Sequence, residues 1–155
     1  MKRYLSLFLA LVMLGGIFAL PVSAAPAVET SETTVEYFED GSYIVTTITE
    51  TGRGARSSTK SGSKSTHYYN SKDEEQWVAT IHGTFSYDGY SATCTGAYTS
   101  HTIYNSAWKL KSSSSEKSGN QAIGHFVFKY YLLGVPINTI EKTVVLTCSP
   151  NGVLS

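Results

Sequence analysis

The sequence alternates hydrophobic and polar residues with a period of two over most of its length, which is typical of β-strands with one buried face. The clearest run is QWVATIHGTFSY at residues 76–87, and similar runs occupy residues 33–50 and 121–148. Past the N-terminal residues, no run of helical period is long enough to predict a helix. The pattern therefore predicts antiparallel hairpins joined by short turns.

One hairpin is predicted around Asp88-Gly89, a residue pair typical of two-residue turns. With such a turn, Gly83 lies opposite Cys94 and Ala79 lies opposite Tyr98. These residues then share a face with large apolar side chains, whereas the opposite face carries Ser, Thr and His. We therefore predict that Cys94 and Tyr98 point into the core.

A second hairpin is predicted within residues 121–148, where Gly134-Val135-Pro136 supplies a three-residue turn. This turn places Lys129 opposite Glu141, a favourable cross-strand pair. It also directs Cys148 into the core, on the same face as the apolar residues of both strands.

Two further turns complete the pattern. Asp40-Gly41 joins the two halves of residues 33–50 as another turn pair. A three-residue loop at 118–120 places Trp108 beside Tyr130, so that this tryptophan joins the same interior.

Seven to eight strands and no helix predict an all-β fold. We expect an antiparallel β-sandwich that is immunoglobulin-like or related, and a closed barrel is the alternative. The order Cys94, Trp108, Cys148 matches the cysteine, tryptophan, cysteine order of immunoglobulin domains. Leu146 stands where that pattern has a tyrosine. The match therefore supports a sandwich and not membership of that family.

Residues 1–24 have the layout of a secretory signal peptide. Lys2 and Arg3 precede the apolar residues 5–20, and Val22-Ser23-Ala24 forms a cleavage motif of small residues. We therefore expect a secreted, extracellular protein with no membrane span after cleavage.

We expect residues 25–31 to be a flexible lead and residues 32–155 to form a single domain. Loss of Lys2 and Arg3 leaves 10 basic residues against 12 acidic ones, a formal net charge of −2. This balance argues against nucleic acid as a partner. A monomer is expected.

Residues 51–64, TGRGARSSTKSGSK, are rich in Gly and Ser and predict a mobile loop. The segment carries four cations: Arg53, Arg56, Lys60 and Lys64. Such charges keep a loop solvated, or alternatively bind an anionic surface.

Cys94 and Cys148 are the two cysteines of the chain, and both fall on predicted core faces. Exported proteins mature in an oxidising environment, where an even number of cysteines indicates disulfides. We therefore expect Cys94 and Cys148 to be linked.

One short motif suggests catalysis. VVLTC, residues 144–148, resembles the Thr-Leu-x-Thr-Cys motif of sortases, a resemblance that would make Cys148 the nucleophile and His82 the acid–base. Val144 and Val145 depart from the motif, and no arginine follows Cys148. We therefore predict that the protein is not an enzyme, with a sortase-like or other hydrolytic activity as the remote alternative.

The histidines do not have the spacing of a metal site. In the predicted register, His82 and His101 are six strand positions apart, about 20 Å at about 3.3 Å per residue, which is too far to chelate one ion. We expect no metal and no cofactor.

Tyrosines are more numerous than one core requires, and their rings suit contacts with sugars or proteins. Tyr68 and Tyr69 are consecutive in a predicted strand, so only one can enter the core. We expect the other beside Lys60 and Lys64, where ring and cations could hold an acidic sugar or a protein acid. The predicted function is a binding or adhesion module for glycan or protein; the alternative is a bacteriocin-like or inhibitory envelope-active protein.

The chain resembles small secreted single-domain proteins of Gram-positive, often clostridial, bacteria. The resemblance is carried by YYNSKDEEQWVATIHGTFSYDGYSATC, TIYNSAWKLKSSSSEKSGNQA and LLGVPINTIEKTVVLTC. It implies export and a β-rich domain, and it assigns no activity and no site.

Overall fold

The structure is a computed structural model that describes residues 28–51 and 58–155. The predicted signal peptide lies outside these residues, as do Arg53 and Arg56. The eight strands are β1 (Val28–Tyr37), β2 (Tyr43–Thr51), β3 (Thr59–Tyr69), β4 (Glu75–Tyr87), β5 (Ala92–Ile103), β6 (Trp108–Ser118), β7 (Gln121–Leu132) and β8 (Val135–Thr147).

The strands form two antiparallel sheets, one with the order β1-β2-β3-β4-β5 and a smaller one with the order β6-β7-β8. This arrangement confirms the predicted all-β antiparallel fold. Strands that pair are always consecutive in sequence. The Greek-key connections of immunoglobulin domains are therefore absent from the described strands, and the likeness in cysteine and tryptophan order does not extend to topology.

The inner faces of the two sheets meet in an aromatic core. Trp77 of β4 stacks on Phe128 of β7, with ring centroids 4.1 Å apart and planes at 11°. The largest fully buried side chains come from both sheets: Trp77, Phe85, Phe126, Phe128, Ile81 and Leu146. Rings of this size bury enough apolar area to dominate the stability of a small sandwich.

One side of the sandwich is closed by contacts between β5 and β6. The Lys117 ammonium of β6 donates to the Thr95 carbonyl of β5 at 3.2 Å, and the Cys94 N–H donates to the Gly119 carbonyl at 2.8 Å. On the other side, β8 packs over β3 and β4, so β1 and β2 extend past the small sheet.

The β4–β5 hairpin forms as predicted, with a longer turn. Tyr87 pairs with Ala92, and the Asp88 carboxylate accepts hydrogen bonds from the backbone of the four-residue turn. Cys94 lies opposite Phe85 and is buried, which confirms its predicted direction. The prediction for Tyr98 is wrong, because a bulge at Thr84/Phe85 reverses the alternation and leaves this ring 61% exposed.

The β7–β8 hairpin also forms, with a shorter turn than predicted. Leu133 and Gly134 form a two-residue turn, with φ angles of 49° and 81°. Positive φ at both positions matches the strand twist of a type I′ turn. Lys129 consequently lies opposite Thr139 and not opposite Glu141, while a bulge at Tyr130/Tyr131 keeps the inner face in place.

The β6–β7 turn has two residues and not the predicted three, because Ser118 pairs with Gln121, but a bulge at Leu110/Ser112 restores the predicted register beyond it. Trp108 lies opposite Tyr130 and Leu110 lies opposite Phe128. Cys148, just after β8, is fully buried, as the sequence predicted.

The predicted loop at residues 51–64 is wrong over its second half. β3 begins at Thr59 and pairs with β2 on one side and β4 on the other. Backbone pairing on both sides orders a Gly- and Ser-rich segment that composition alone assigns to a loop. The predicted lead at 25–31 is likewise too long, because β1 begins at Val28 and pairs with β2 there.

Candidate functional site

Tyr68 and Tyr69 lie on opposite faces of β3, as their consecutive positions require. Tyr68 is 7% exposed in the core, and Tyr69 stands half-buried on the outer face. Lys60 and Lys64 share the face of Tyr68, opposite Phe85 and Ile81 of β4. The predicted cluster of Tyr69 with these cations is therefore not formed: Lys60 is nine strand positions away, about 30 Å at about 3.3 Å per residue.

Lys60 has a partner of its own. Its ammonium lies 2.7 Å from the Glu50 carboxylate of β2, and both side chains are only 20% exposed. The pair neutralises a charge that the sequence assigned to a solvated loop, so Lys60 is not available to an anionic ligand.

The structure instead forms a groove at one end of the sandwich, between the two sheets. Two adjacent cavities of about 230 Å³ each share Tyr68 and Asn138 as walls. The residues lining this end groove are Phe38, Asp40, Ser42, Ile44, Tyr68, Asn70, Gln76, Asn105, Trp108, Tyr130, Asn138 and Ile140. Together the cavities reach the lower part of the range of about 300–1,000 Å³ in which small-ligand sites fall.

Aromatic rings form the floor of the end groove. Tyr68 stacks on Trp77 at 5.2 Å and meets Trp108 edge-on at 5.7 Å, while Tyr130 lies 5.3 Å from Trp108. Phe38 lies 6.5 Å from Tyr68 at the outer end. Because the inner rings are fixed by the core, the floor is formed before any ligand arrives.

Three side-chain amides of the groove hold its turns in place. Asn105 donates to the Gln76 side-chain oxygen at 2.7 Å, and Gln76 donates to the Glu74 carbonyl at 2.9 Å. Asn70 accepts hydrogen bonds from the backbone N–H groups of Lys72 and Glu74. These bonds fix the β3–β4 and β5–β6 turns that border the groove.

Other polar groups of the groove have unused hydrogen-bonding capacity. The amide of Asn138 and the hydroxyls of Tyr68 and Tyr130 make no hydrogen bond with any residue that the structure describes. An amide offers donors and an acceptor, and a phenol offers one of each. These groups can therefore bind a polar ligand lying on the aromatic floor.

Asp40 supplies the single charged side chain among the lining residues. Its carboxylate accepts hydrogen bonds from the Ser42 hydroxyl at 2.6 Å and from the Ser42 N–H at 2.9 Å. Hydrogen bonding by that hydroxyl, followed by the backbone, holds the pKa of Asp40 below its ordinary value. The carboxylate is ionised at neutral pH, so the end groove does not favour anions.

A second aromatic feature, the tyrosine row, crosses the outer face of the large sheet. It consists of Tyr37, Tyr43 and Tyr69, which are cross-strand neighbours. Tyr43 and Tyr69 stack at 4.8 Å with planes at 8°, so these faces cover one another. Burial and the adjacent Glu75 charge raise the pKa of Tyr69. The row presents ring edges and hydroxyls, which is a poor surface for stacking a ligand.

The predicted disulfide is absent. Cys94 and Cys148 are buried, unbonded thiols, and each donates locally, to the Gly96 carbonyl at 3.3 Å and the Ser149 carbonyl at 3.5 Å respectively. The β6–β7 turn lies between the two backbones: the Cys94 N–H bonds the Gly119 carbonyl, and the Cys148 N–H bonds the adjacent Asn120 carbonyl. Both cysteine backbones are thus held by this turn, and each thiol is directed at a nearby carbonyl rather than bonded to the other sulfur.

The structure does not bring the sortase-like pair together. Burial raises the pKa of the Cys148 thiol, which opposes formation of a nucleophilic thiolate. His82 lies on the outer face of β4, where its ring stacks on Tyr98 at 4.3 Å and its Nε2 lies 2.8 Å from the Ser100 hydroxyl. The two side chains point away from each other.

Residues 28–51 and 58–155 contain no cluster of three or more His, Cys, Asp or Glu side chains that could hold a metal ion. The same residues include no helix long and apolar enough to cross a membrane.

Comparisons with protein-family models, with curated proteins and with solved structures found no match. The site is therefore assigned on its geometry alone.

Of the lining residues, sequence reasoning had named only Tyr68 as a binding candidate. Phe38, Trp108, Tyr130 and Asn138 come from four different segments, and only the packing of the two sheets brings them together. One signal was present: Phe38, Tyr68 and Trp108 all lie within a few residues of turns at the same end of the fold.

Proposed function

We propose that the chain is a secreted binding module that holds a neutral saccharide in the end groove. The observation that carries this proposal is a preformed aromatic floor bordered by amide and hydroxyl groups that have no partner among the described residues. The signal-peptide pattern and the resemblance to exported proteins of Gram-positive bacteria support secretion.

The chemistry of the groove fits a sugar. A pyranose has an apolar ring face and a rim of hydroxyls, and it pairs with an aromatic ring on one side and amide groups on the other. Phe38 and Tyr130 offer aromatic contact, and Asn138 offers both a donor and an acceptor. Sites of this kind combine apolar walls with a few placed polar groups.

The charge of the groove favours neutral over acidic sugars. Asp40 is ionised and would repel a uronic or sialic carboxylate. Lys60 is paired with Glu50 at 2.7 Å and does not line the groove. The sequence suggested an acidic ligand because of Lys60 and Lys64. We therefore propose a neutral ligand instead.

The proposal is tested by screening the mature protein on a glycan array, with calorimetric titration of the saccharides retained. We expect a neutral saccharide to bind with an affinity that changes little between low and high salt, because no ion pair is involved. Asn138→Ala should lower that affinity about tenfold, the effect of losing about 1.4 kcal/mol of hydrogen bonding.

The matched control is Tyr98→Ala, which removes an exposed aromatic ring on the outer face of the large sheet. It should leave saccharide affinity unchanged. The proposal fails if no saccharide binds, or if Asn138→Ala and Tyr98→Ala have the same effect.

A further inference from the structure

The β7–β8 hairpin ends in a cluster of exposed apolar side chains, the apolar tip. Its members are Leu132, Leu133, Val135 and Ile137, which are 54%, 97%, 59% and 57% exposed. Exposed apolar residues are ordinary when scattered, but four of them on one turn form a contiguous patch.

Leu133 is unfavourable at its position for two separate reasons. It adopts a φ of 49°, a left-handed conformation that leucine rarely takes and that asparagine or glycine would adopt with less strain. It is also almost fully exposed to water. Asparagine would relieve both penalties, so the presence of leucine points to a bound state in which this side chain is buried.

The shape of the apolar tip indicates what covers it. A two-residue turn at the end of a hairpin is narrow and convex, so a flat protein surface could contact only its end. The interfacial region of a lipid bilayer adapts to a convex apolar wedge without needing a matching pocket.

Cations lie behind the apolar tip on its own sheet. Lys109 and Lys129 are opposite each other in register, on the outer face of the small sheet. Neither forms an ion pair with a described residue. Lys129 precedes Leu133 by four positions, about 13 Å at about 3.3 Å per residue, which places the ammonium groups at headgroup level when the tip is inserted.

We propose that the apolar tip inserts into the surface of a lipid bilayer containing anionic lipids, with Lys109 and Lys129 contacting the headgroups. Glu141 lies opposite Val127, farther from the tip than Lys129. The acidic turn residues at this end, Glu39, Asp40, Asp73 and Glu74, all belong to the large sheet. In the bound state the outer face of the small sheet therefore lies towards the bilayer. This orientation keeps the carboxylates of the large sheet away from the anionic surface. This binding is separate from the proposed saccharide function.

The test is co-sedimentation of the mature protein with large unilamellar vesicles of phosphatidylcholine alone and of phosphatidylcholine with phosphatidylglycerol. We expect wild type to bind the anionic vesicles more strongly, and Leu133→Asn to lower the partition coefficient at least tenfold while its melting temperature stays equal or rises. The double variant Lys109→Gln, Lys129→Gln should lose the preference for anionic vesicles.

Tyr90→Ser is the matched control, because Tyr90 is 93% exposed in the β4–β5 turn at the opposite end of the sandwich. It should bind vesicles as wild type does. If Leu133→Asn binds saccharide with the same affinity as wild type, the apolar tip and the end groove are independent sites.

Three results would overturn the proposal. In the first, wild type does not sediment with anionic vesicles; in the second, Leu133→Asn binds them as wild type does. In the third, wild type does not bind vesicles, and sedimentation equilibrium shows that wild type is a dimer whereas Leu133→Asn is a monomer. The apolar tip would then contact a second copy of the chain and not a bilayer.

Discussion

Tyr68 contributes to the core and to the end groove with the same side chain. Its ring stacks on Trp77 and meets Trp108, while its edge lines both cavities. The period of two in a strand was enough to predict that one of Tyr68 and Tyr69 is buried. It could not predict the neighbours of either ring, because those come from other strands and from the packing of the sheets.

The two cysteines give a prediction at the same scale. Burial raises the pKa of both thiols, so neither is reactive in the native state. With iodoacetamide and no reductant, we expect the native protein to remain unmodified at pH 8. The protein unfolded in guanidinium should gain two carbamidomethyl groups, measured by mass spectrometry.

A disulfide would give a different mass spectrum. If the unfolded protein gains the two groups only after reduction, the cysteines are paired and their description as free thiols is incorrect. Sequence reasoning failed here because inward direction and even number are necessary for a disulfide but do not set the distance between two cysteines.

Among the elements, β3 shows most clearly where composition misleads. Its first half is TKSGSK, with no large apolar residue, yet it pairs on both sides and lies in the middle of the large sheet. The tail after β8 covers this weak segment: Leu154 is 4% exposed and packs over Gly62. A polar strand was not predictable because its order comes from its two neighbours and from the tail.

Gly62 allows a test of this packing. A Cβ added at Gly62 would overlap the Leu154 side chain and come within 2.8 Å of the Thr49 carbonyl. We expect Gly62→Ala to lower the free energy of unfolding by about 1–3 kcal/mol, the usual effect of overpacking. Urea denaturation measures the change.

The control for Gly62→Ala is Gly96→Ala, because Gly96 is also a strand glycine of the large sheet. An added Cβ there would meet the Thr84 side chain at 3.6 Å, an ordinary contact. Its stability should be unchanged or rise by up to about 1 kcal/mol. Equal effects of the two substitutions would mean that the tail does not pack on β3 as described.

At the scale of the whole molecule, two sheets of unequal size explain the location of the site. The alternating pattern was enough to predict seven to eight antiparallel strands, and the structure has eight among the residues it describes. Turn lengths and bulges were not predictable, since a single extra residue in β5, Thr95 opposite Thr84/Phe85, reverses the β5 side chains beyond it. The end groove depends on how the sheets meet, and this is a property of the assembled sandwich.

The most direct test of the groove is an NMR titration of the ¹⁵N-labelled protein with the saccharide that binds best on the array. We expect the amide shifts to concentrate at the groove walls, around Phe38–Ile44, Tyr68–Asn70, Asn105–Trp108, Tyr130 and Asn138. Shifts confined to the tyrosine row at Tyr37, Tyr43 and Tyr69, or no saturable shifts at any lining residue, would contradict it.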